Sequence, residues 1–169
     1  KISLAMPQNT ETIKYLKTLG AKKIKTAGNL KYFGKSKKIV DKNTKKLFKN
    51  RLIFCAASTH DNEELFIGKM HQELKLKYNN LLTILIPRHA NRSRLITNQL
   101  ENINLKIITR SSKKEISENT DIYIVDTYGE SSKFYELSNI TFLGGSIVNH
   151  GGQNPLEPAR MGNYILHGP

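Results

Sequence analysis

Leu52-Ile53-Phe54-Cys55-Ala56-Ala57 is an unbroken apolar run. No polar position relieves it, so it reads as a strand buried on both faces, the environment of a parallel sheet covered by helices above and below. A second such run, Leu81 to Ile86, is stopped by Pro87. Between the two, Asp61 and Glu64 form an N-cap and N3 pair, and Phe66, Met70 and Leu74 stripe one face of the helix they open. Further along, Asn91 caps a helix carrying Ile96, Leu100 and Ile103; Lys106 to Thr109 and Ile122 to Val125 are strands. Gly129 to Ser138 is a helix with Phe134 and Leu137 inward. Ile140 to Leu143 is a strand running into Gly144-Gly145-Ser146, Pro155 to Met161 a short helix, and Tyr164 to Leu166 a last strand. Strands alternating with helices in this way predict an α/β fold, a Rossmann-like doubly wound parallel sheet. Such sheets bind ligands in the crevice at the carboxyl ends of their strands. The loops to search are therefore Ser58 to Asp61, Pro87-Arg88-His89, Asp126 to Glu130 and Gly144 to Glu157.

Upstream of this rhythm the chain has another character. Residues 1–50 hold 14 lysines against Glu11 and Asp41, a net +12. The rest, with 13 Lys and Arg against 12 acids, is nearly neutral at +1. Ile2 to Met6 and Lys23 to Thr26 read as short strands. A helix lies between them, with Thr10 as N-cap, Ile13, Leu16 and Leu19 at helical spacing, and Gly20 at the C-cap. Lys31 to Asn50 reads as a Lys-rich linker, which places a domain boundary near Asn50. The 169 residues and the overall +13 admit a nucleic-acid-binding module. Against that class, the basic tract has few aromatics for stacking and no recognisable binding motif. The single cysteine, Cys55, removes a disulfide scaffold, and no apolar run reaches the ~20 residues of a membrane span. No metal-ligand spacing occurs among the five histidines, and Ser146 lacks the Gly-x-Ser-x-Gly elbow of a hydrolase nucleophile.

The most informative stretch is Gly144-Gly145-Ser146-Ile147-Val148-Asn149-His150-Gly151-Gly152-Gln153-Asn154-Pro155-Leu156-Glu157-Pro158. Two glycine pairs expose backbone N–H groups to a ligand, and Asn154 is placed to cap a helix with Pro155 at its first position. That arrangement favours an anion. Glu157, in the first turn, suits two vicinal hydroxyls such as those of a ribose. The bland alternative is that the glycines serve tight turns and Glu157 complements the helix dipole.

This string closely resembles the signature of the 3-deoxy-D-manno-octulosonic acid (Kdo) transferases. Ala56-Ala57-Ser58-Thr59-His60-Asp61 with Glu63-Glu64, Ile86-Pro87-Arg88-His89, Asp126-Thr127-Tyr128-Gly129-Glu130, Gly28-Asn29-Leu30-Lys31 and Leu19-Gly20-Ala21 resemble the family's other motifs, in the family's order. Departures are Tyr128, where most relatives carry Met, and Asn149-His150.

The resemblance implies a GT-B glycosyltransferase of lipopolysaccharide biosynthesis that moves Kdo from CMP-Kdo to a lipid A precursor, inverting the anomeric carbon, with no cofactor and no metal. It implies CMP contacts at Pro87, Arg88, Tyr128, Gly129, Glu130, Asn154, Pro155, Leu156 and Glu157, with Ser58, Thr59, His60, His89, Gly145 and Ser146 in support. Arg88 would meet phosphate through two parallel hydrogen bonds. The family's general base is a glutamate of the N-terminal domain. Residues 1–50 are then expected to be the end of that acceptor domain plus linker, and 51–169 a CMP-sugar-binding domain, C-terminally incomplete, the whole an inactive internal fragment. The full-length protein is expected at the cytoplasmic face of the inner membrane, with Lys35, Lys37, Lys38, Lys45 and Lys46 facing an anionic surface, and the fragment is expected to be soluble. The alternative enzyme is a GT-B transferase using a UDP-sugar.

Overall fold

The computed structural model describes residues 2–28, 40 and 42–169. The expected junction at Asn29-Leu30-Lys31, and Lys35, Lys37 and Lys38, lie outside the described residues. The chain divides into two compact units, Lys1–Lys37 and Lys38–Pro169.

In the first unit, helix α1 spans Thr10–Thr18. Its N-cap is Asn9 rather than Thr10: the Asn9 side-chain oxygen accepts from Thr12 N–H at 2.8 Å. Gly20 follows at φ +81°, the left-handed C-cap conformation. The two expected strands reduce to one parallel bridge between Ala5 and Ile24, and Leu19, read at helical spacing with Ile13 and Leu16, is 82% exposed.

The second unit begins before the boundary expected near Asn50. Lys42–Leu47 forms helix α2 instead of linker. The next turn buries Phe48 in the core, where it meets Tyr123 edge to face at 6.3 Å. Lys45 pairs with Glu136 at 3.0 Å.

Six strands follow: β1 Leu52–Thr59, β2 Leu81–Pro87, β3 Ile107–Thr109, β4 Ile122–Ile124, β5 Ile140–Leu143 and β6 Tyr164–Leu166. They form a single parallel sheet in the order β3-β4-β2-β1-β5-β6. Helices α3 (Glu63–Lys75), α4 (Ser93–Glu101), α5 (Ser131–Leu137) and α6 (Leu156–Arg160) connect them.

Alternate residues of β1 supply both cores. Ile53, Cys55 and Ala57 join Leu82, Ile84, Phe134 and Leu143 on one face, while Phe54 and Ala56 join Ile67, Leu85, Ile96, Leu100 and Phe142 on the other. Burial on both faces is why β1 and β2 carry no alternating pattern.

The amino end of the sheet is closed by Arg51. Its guanidinium donates to the carbonyls of Asn80, Leu81, Ser117 and Thr120 at 2.6 to 3.0 Å. These carbonyls lie at or just before the starts of β2 and β4; Asn80 O also accepts from Leu52 N–H and Ser117 O from Thr120 N–H, so one guanidinium ties together backbone acceptors from both strand ends.

Helix α3 differs from its sequence reading in two ways. Its buried face carries Glu63, Glu64, Ile67, Gly68 and His71; of the expected stripe, Met70 and Leu74 pack against the core while Phe66 is 51% exposed. The expected capping pair is not made: Asn62 holds the N-cap position at φ +70° without a side-chain cap bond. Asp61 and Glu64 both turn to Arg92, at 2.7 Å each. A buried Glu64 carboxylate gains more from a guanidinium than from a helix-end amide. Burial nevertheless dominates there and raises the Glu64 carboxyl above the usual range. Helix α4 likewise starts at Ser93 after a single tight turn, Ala90–Arg92, with no side-chain cap from Asn91.

Candidate active site

The sheet order places β2, β4 and β3 on one side of β1 and β5 and β6 on the other. The chain therefore crosses sides between β4 and β5, and the carboxyl ends of β1 and β5 open onto the crevice that doubly wound sheets use for ligands.

At the end of β1 the strand bulges. Ser58 adopts φ +55° and the register shifts between Ala57 and Thr59. Ala57 accepts from Gly144 N–H at 2.8 Å, and Thr59 accepts from Arg88 N–H at 3.0 Å, so the bulge joins the ends of β5, β1 and β2. The contact with β5 is close enough that only glycine fits. A Cβ at Gly144 would lie 2.4 Å from the Ser58 carbonyl oxygen.

The loop after Gly144 is held by a residue that the sequence reading noted only as part of a motif. Glu63, 1% exposed, accepts from the N–H groups of His60 and Gly145 at 2.8 Å each and of Ser146 and Ile147 at 3.1 Å each. Burial works to raise its carboxyl, but these four backbone donors outweigh burial and hold it below the usual range. The first glycine pair was expected to offer N–H groups to a ligand. Instead the protein fills that nest with its own carboxylate. The adjacent acids Glu63-Glu64, just before the buried stripe, were the only signal for it.

Beyond the nest the loop folds back on itself: Gly152 N–H donates to Gly145 O at 2.6 Å and His150 N–H to Val148 O at 2.7 Å. Ser146 Oγ donates to Leu143 O at 2.6 Å. The rings of His60 and His150 lie 4.2 Å apart, and His89 meets His60 edge to face at 6.4 Å. Burial first and then His150 hold His60 below the ordinary histidine value, against the opposing pull of Glu63. Arg88 and His89 are exposed beside this cluster, and Arg88 makes no side-chain hydrogen bond or ion pair among the described residues. The same loop walls a cavity of about 550 Å³, lined in part by Gly145, Ser146, Gly151, Gly152, Gln153 and Pro155.

The remaining candidates gather on the loop after β4 and on α6. Tyr128 is 80% exposed. Gly129 turns the loop at φ +79°. Glu130 is engaged internally, by Arg110, Thr127 and Lys133, and the Arg110 pair above all lowers its carboxyl to about 2. Pro155, expected as the first helical residue, takes the N-cap position of α6 instead, and the Asn154 side-chain oxygen, one residue earlier, accepts from Leu156 N–H at 3.0 Å. Glu157 accepts from Ser132 Oγ, which ties α6 to α5.

Pro87, Arg88, Ser58, Thr59, His89, Gly145 and Ser146 thus meet at the ends of β1, β2 and β5, whereas Tyr128, Gly129, Glu130 and Glu157 belong to the α5–α6 side. Among the described residues, no group of three or more His, Cys, Asp or Glu is arranged to hold a metal ion. No helix among them is long and apolar enough to cross a membrane.

No protein-family model matches the chain. The 3-deoxy-D-manno-octulosonic acid transferase of Haemophilus influenzae is 39% identical over 174 residues, covering 99% of this chain and 41% of that protein. That of Aquifex aeolicus is 32% identical over 169 residues, covering 100% and 44%. The solved C-terminal CMP-Kdo binding domain of WaaA from Acinetobacter baumannii superposes with TM-score 0.68 at 32% identity, covering 73% of this chain and 67% of that one.

The chain belongs to the Kdo transferase family. Kdo transferases are glycosyltransferases, and the parallel α/β sheet described above matches the C-terminal domain of their GT-B fold. The chain spans about two fifths of the length of these curated relatives.

Proposed function

We propose that this chain forms the donor side of a Kdo transferase and binds the CMP portion of CMP-Kdo in the crevice beyond β1, β2 and β5. The observation that carries this reading is the superposition on a CMP-Kdo binding domain, with TM-score 0.68 at 32% identity. In this reading Arg88, exposed and without a side-chain partner among the described residues, takes the phosphate and offsets the charge that grows on it as the sugar leaves. Gly151, Gly152 and Gln153 line the cavity walled by the loop after β5. Pro87, Tyr128 and Gly129 border the nucleoside, Glu130 shapes their loop through Arg110, and Glu157, with one carboxylate oxygen on Ser132, offers the other to the ribose hydroxyls. Asn154, Pro155 and Leu156 hold the turn that presents Glu157.

In the whole enzyme an acceptor hydroxyl of a lipid A precursor adds to the anomeric carbon of Kdo as the bond to CMP breaks, and a base takes the hydroxyl proton. We place that base outside these 169 residues. The lysines of residues 1–50 favour an anionic membrane surface at the cytoplasmic face of the inner membrane, at about 1 kcal/mol per residue near the headgroups. Calorimetric titration with CMP, UMP and UDP tests the donor assignment. CMP is expected to bind best, and preference for UDP would replace the reading with that of a UDP-sugar transferase.

A further inference from the structure

Glu63 stands first in α3, yet its carboxylate serves a loop 82 to 84 residues away. Each of its oxygens takes two backbone N–H donors: Oε2 from His60 and Gly145, Oε1 from Ser146 and Ile147. It makes no ion pair among the described residues, so backbone dipoles alone hold the negative charge in the interior. A buried carboxylate without a cation is costly, and packing alone would be served as well by an apolar side chain. What the carboxylate adds is direction, because four amides must point at one spot.

Three of those amides belong to Gly145, Ser146 and Ile147, which also line the 550 Å³ cavity. Turning their N–H groups inward toward Glu63 fixes which side of the loop faces the cavity. It also leaves the Gly151 amide as backbone that the loop can offer a ligand, the Gly152 N–H being already given to Gly145 O. His60, whose own N–H is the fourth donor, is held by the same carboxylate, and its ring meets that of His150 at 4.2 Å, tilted by 41°.

We propose that Glu63 is a positioning residue of the donor site: it occupies the first anion nest itself and thereby orients the loop 144–152 for the CMP phosphate. This rests on the donor-binding reading above. Glutamine cannot take its place, since an amide nitrogen would face two N–H donors and a neutral oxygen accepts more weakly.

The test is Glu63→Gln in the full chain, with amide-proton exchange at Gly145, Ser146 and Ile147 and CMP titration as readouts. Ile84→Val serves as a mildly destabilised core control. The expected result is exchange faster by about tenfold or more at those three amides, together with CMP affinity weaker by about tenfold or more, neither of which the core variant shows. If Glu63→Gln fails to fold, Glu63→Asp, which keeps the charge one methylene short, is read in the same way. Faster exchange with unchanged CMP affinity overturns the positioning role, and so does unchanged exchange. Failure of the unmodified chain to bind CMP overturns the donor reading and this inference with it, an outcome separable because the exchange result stands alone.

Discussion

Arg110 and Glu130 meet side on, Nε lying 3.2 Å from Oε2 and Nη2 3.1 Å from Oε1. These two parallel hydrogen bonds tie the turn after β3 to the loop after β4, the loop that presents Tyr128. Arg110→Met should return the Glu130 carboxyl from about 2 toward the ordinary value, as followed by carbon-detected NMR titration. The stability cost should stay below about 1 kcal/mol, because the Arg110 side chain is 45% exposed and solvent screens the pair. The folded state of the unmodified protein holds the Glu130 proton less tightly than the unfolded chain does. The stability from this pair is therefore present above about pH 4.5 and lost as pH falls toward 2.

His71 titrates in a different window. It is fully buried, bonded to Thr83 at 2.9 Å, and burial foremost lowers it to about 4. Between pH 6.5 and about 4 the unfolded chain binds this proton and the folded one does not, so stability falls as pH falls through that range, by a few kcal/mol. Urea midpoints at pH 7 and pH 4.5 should differ accordingly, and His71→Leu should flatten the slope. An unchanged slope would show that another group carries it.

Gly144 and Gly152 should respond differently to alanine. At Gly144 the new Cβ meets the Ser58 backbone at 2.4 Å, and the β1–β5 junction must shift, at about 3 kcal/mol. At Gly152 nothing lies within 4 Å, but φ is +78°, which costs about 1 kcal/mol. Denaturant unfolding of the two variants gives the order, and equal losses would place the Gly144 approach in error.

Arg88→Ala should lower CMP affinity by about ten- to a hundredfold through the lost charge-assisted hydrogen bonds. The melting temperature should stay in place, since the side chain has no partner among the described residues. A large fall in melting temperature would reassign Arg88 to the scaffold.

Arg51→Lys should cost about 2 kcal/mol although charge is kept, because an ammonium cannot reach the four carbonyls that the guanidinium spans. Thermal melting checks this.

The apolar runs Leu52 to Ala57 and Leu81 to Ile86, the helical spacing of Ile96 and Leu100, and the glycine-rich string ending in Glu157 were enough to read the parallel α/β sheet, its order of elements and the family. Each depends on local spacing or contiguous identity, which a linear chain displays directly. The tertiary structure alone decided where long side chains send their charge. Glu63 leaves its own helix to hold Gly145, Ser146 and Ile147, Arg92 draws Asp61 and Glu64 from the cap they were expected to make, and Arg110 takes Glu130 from the site face. These partners lie 20 to 84 residues apart, and strand order sets their distances. That a glycine pair has its amides already filled depends on which carboxylate folding brings beneath it.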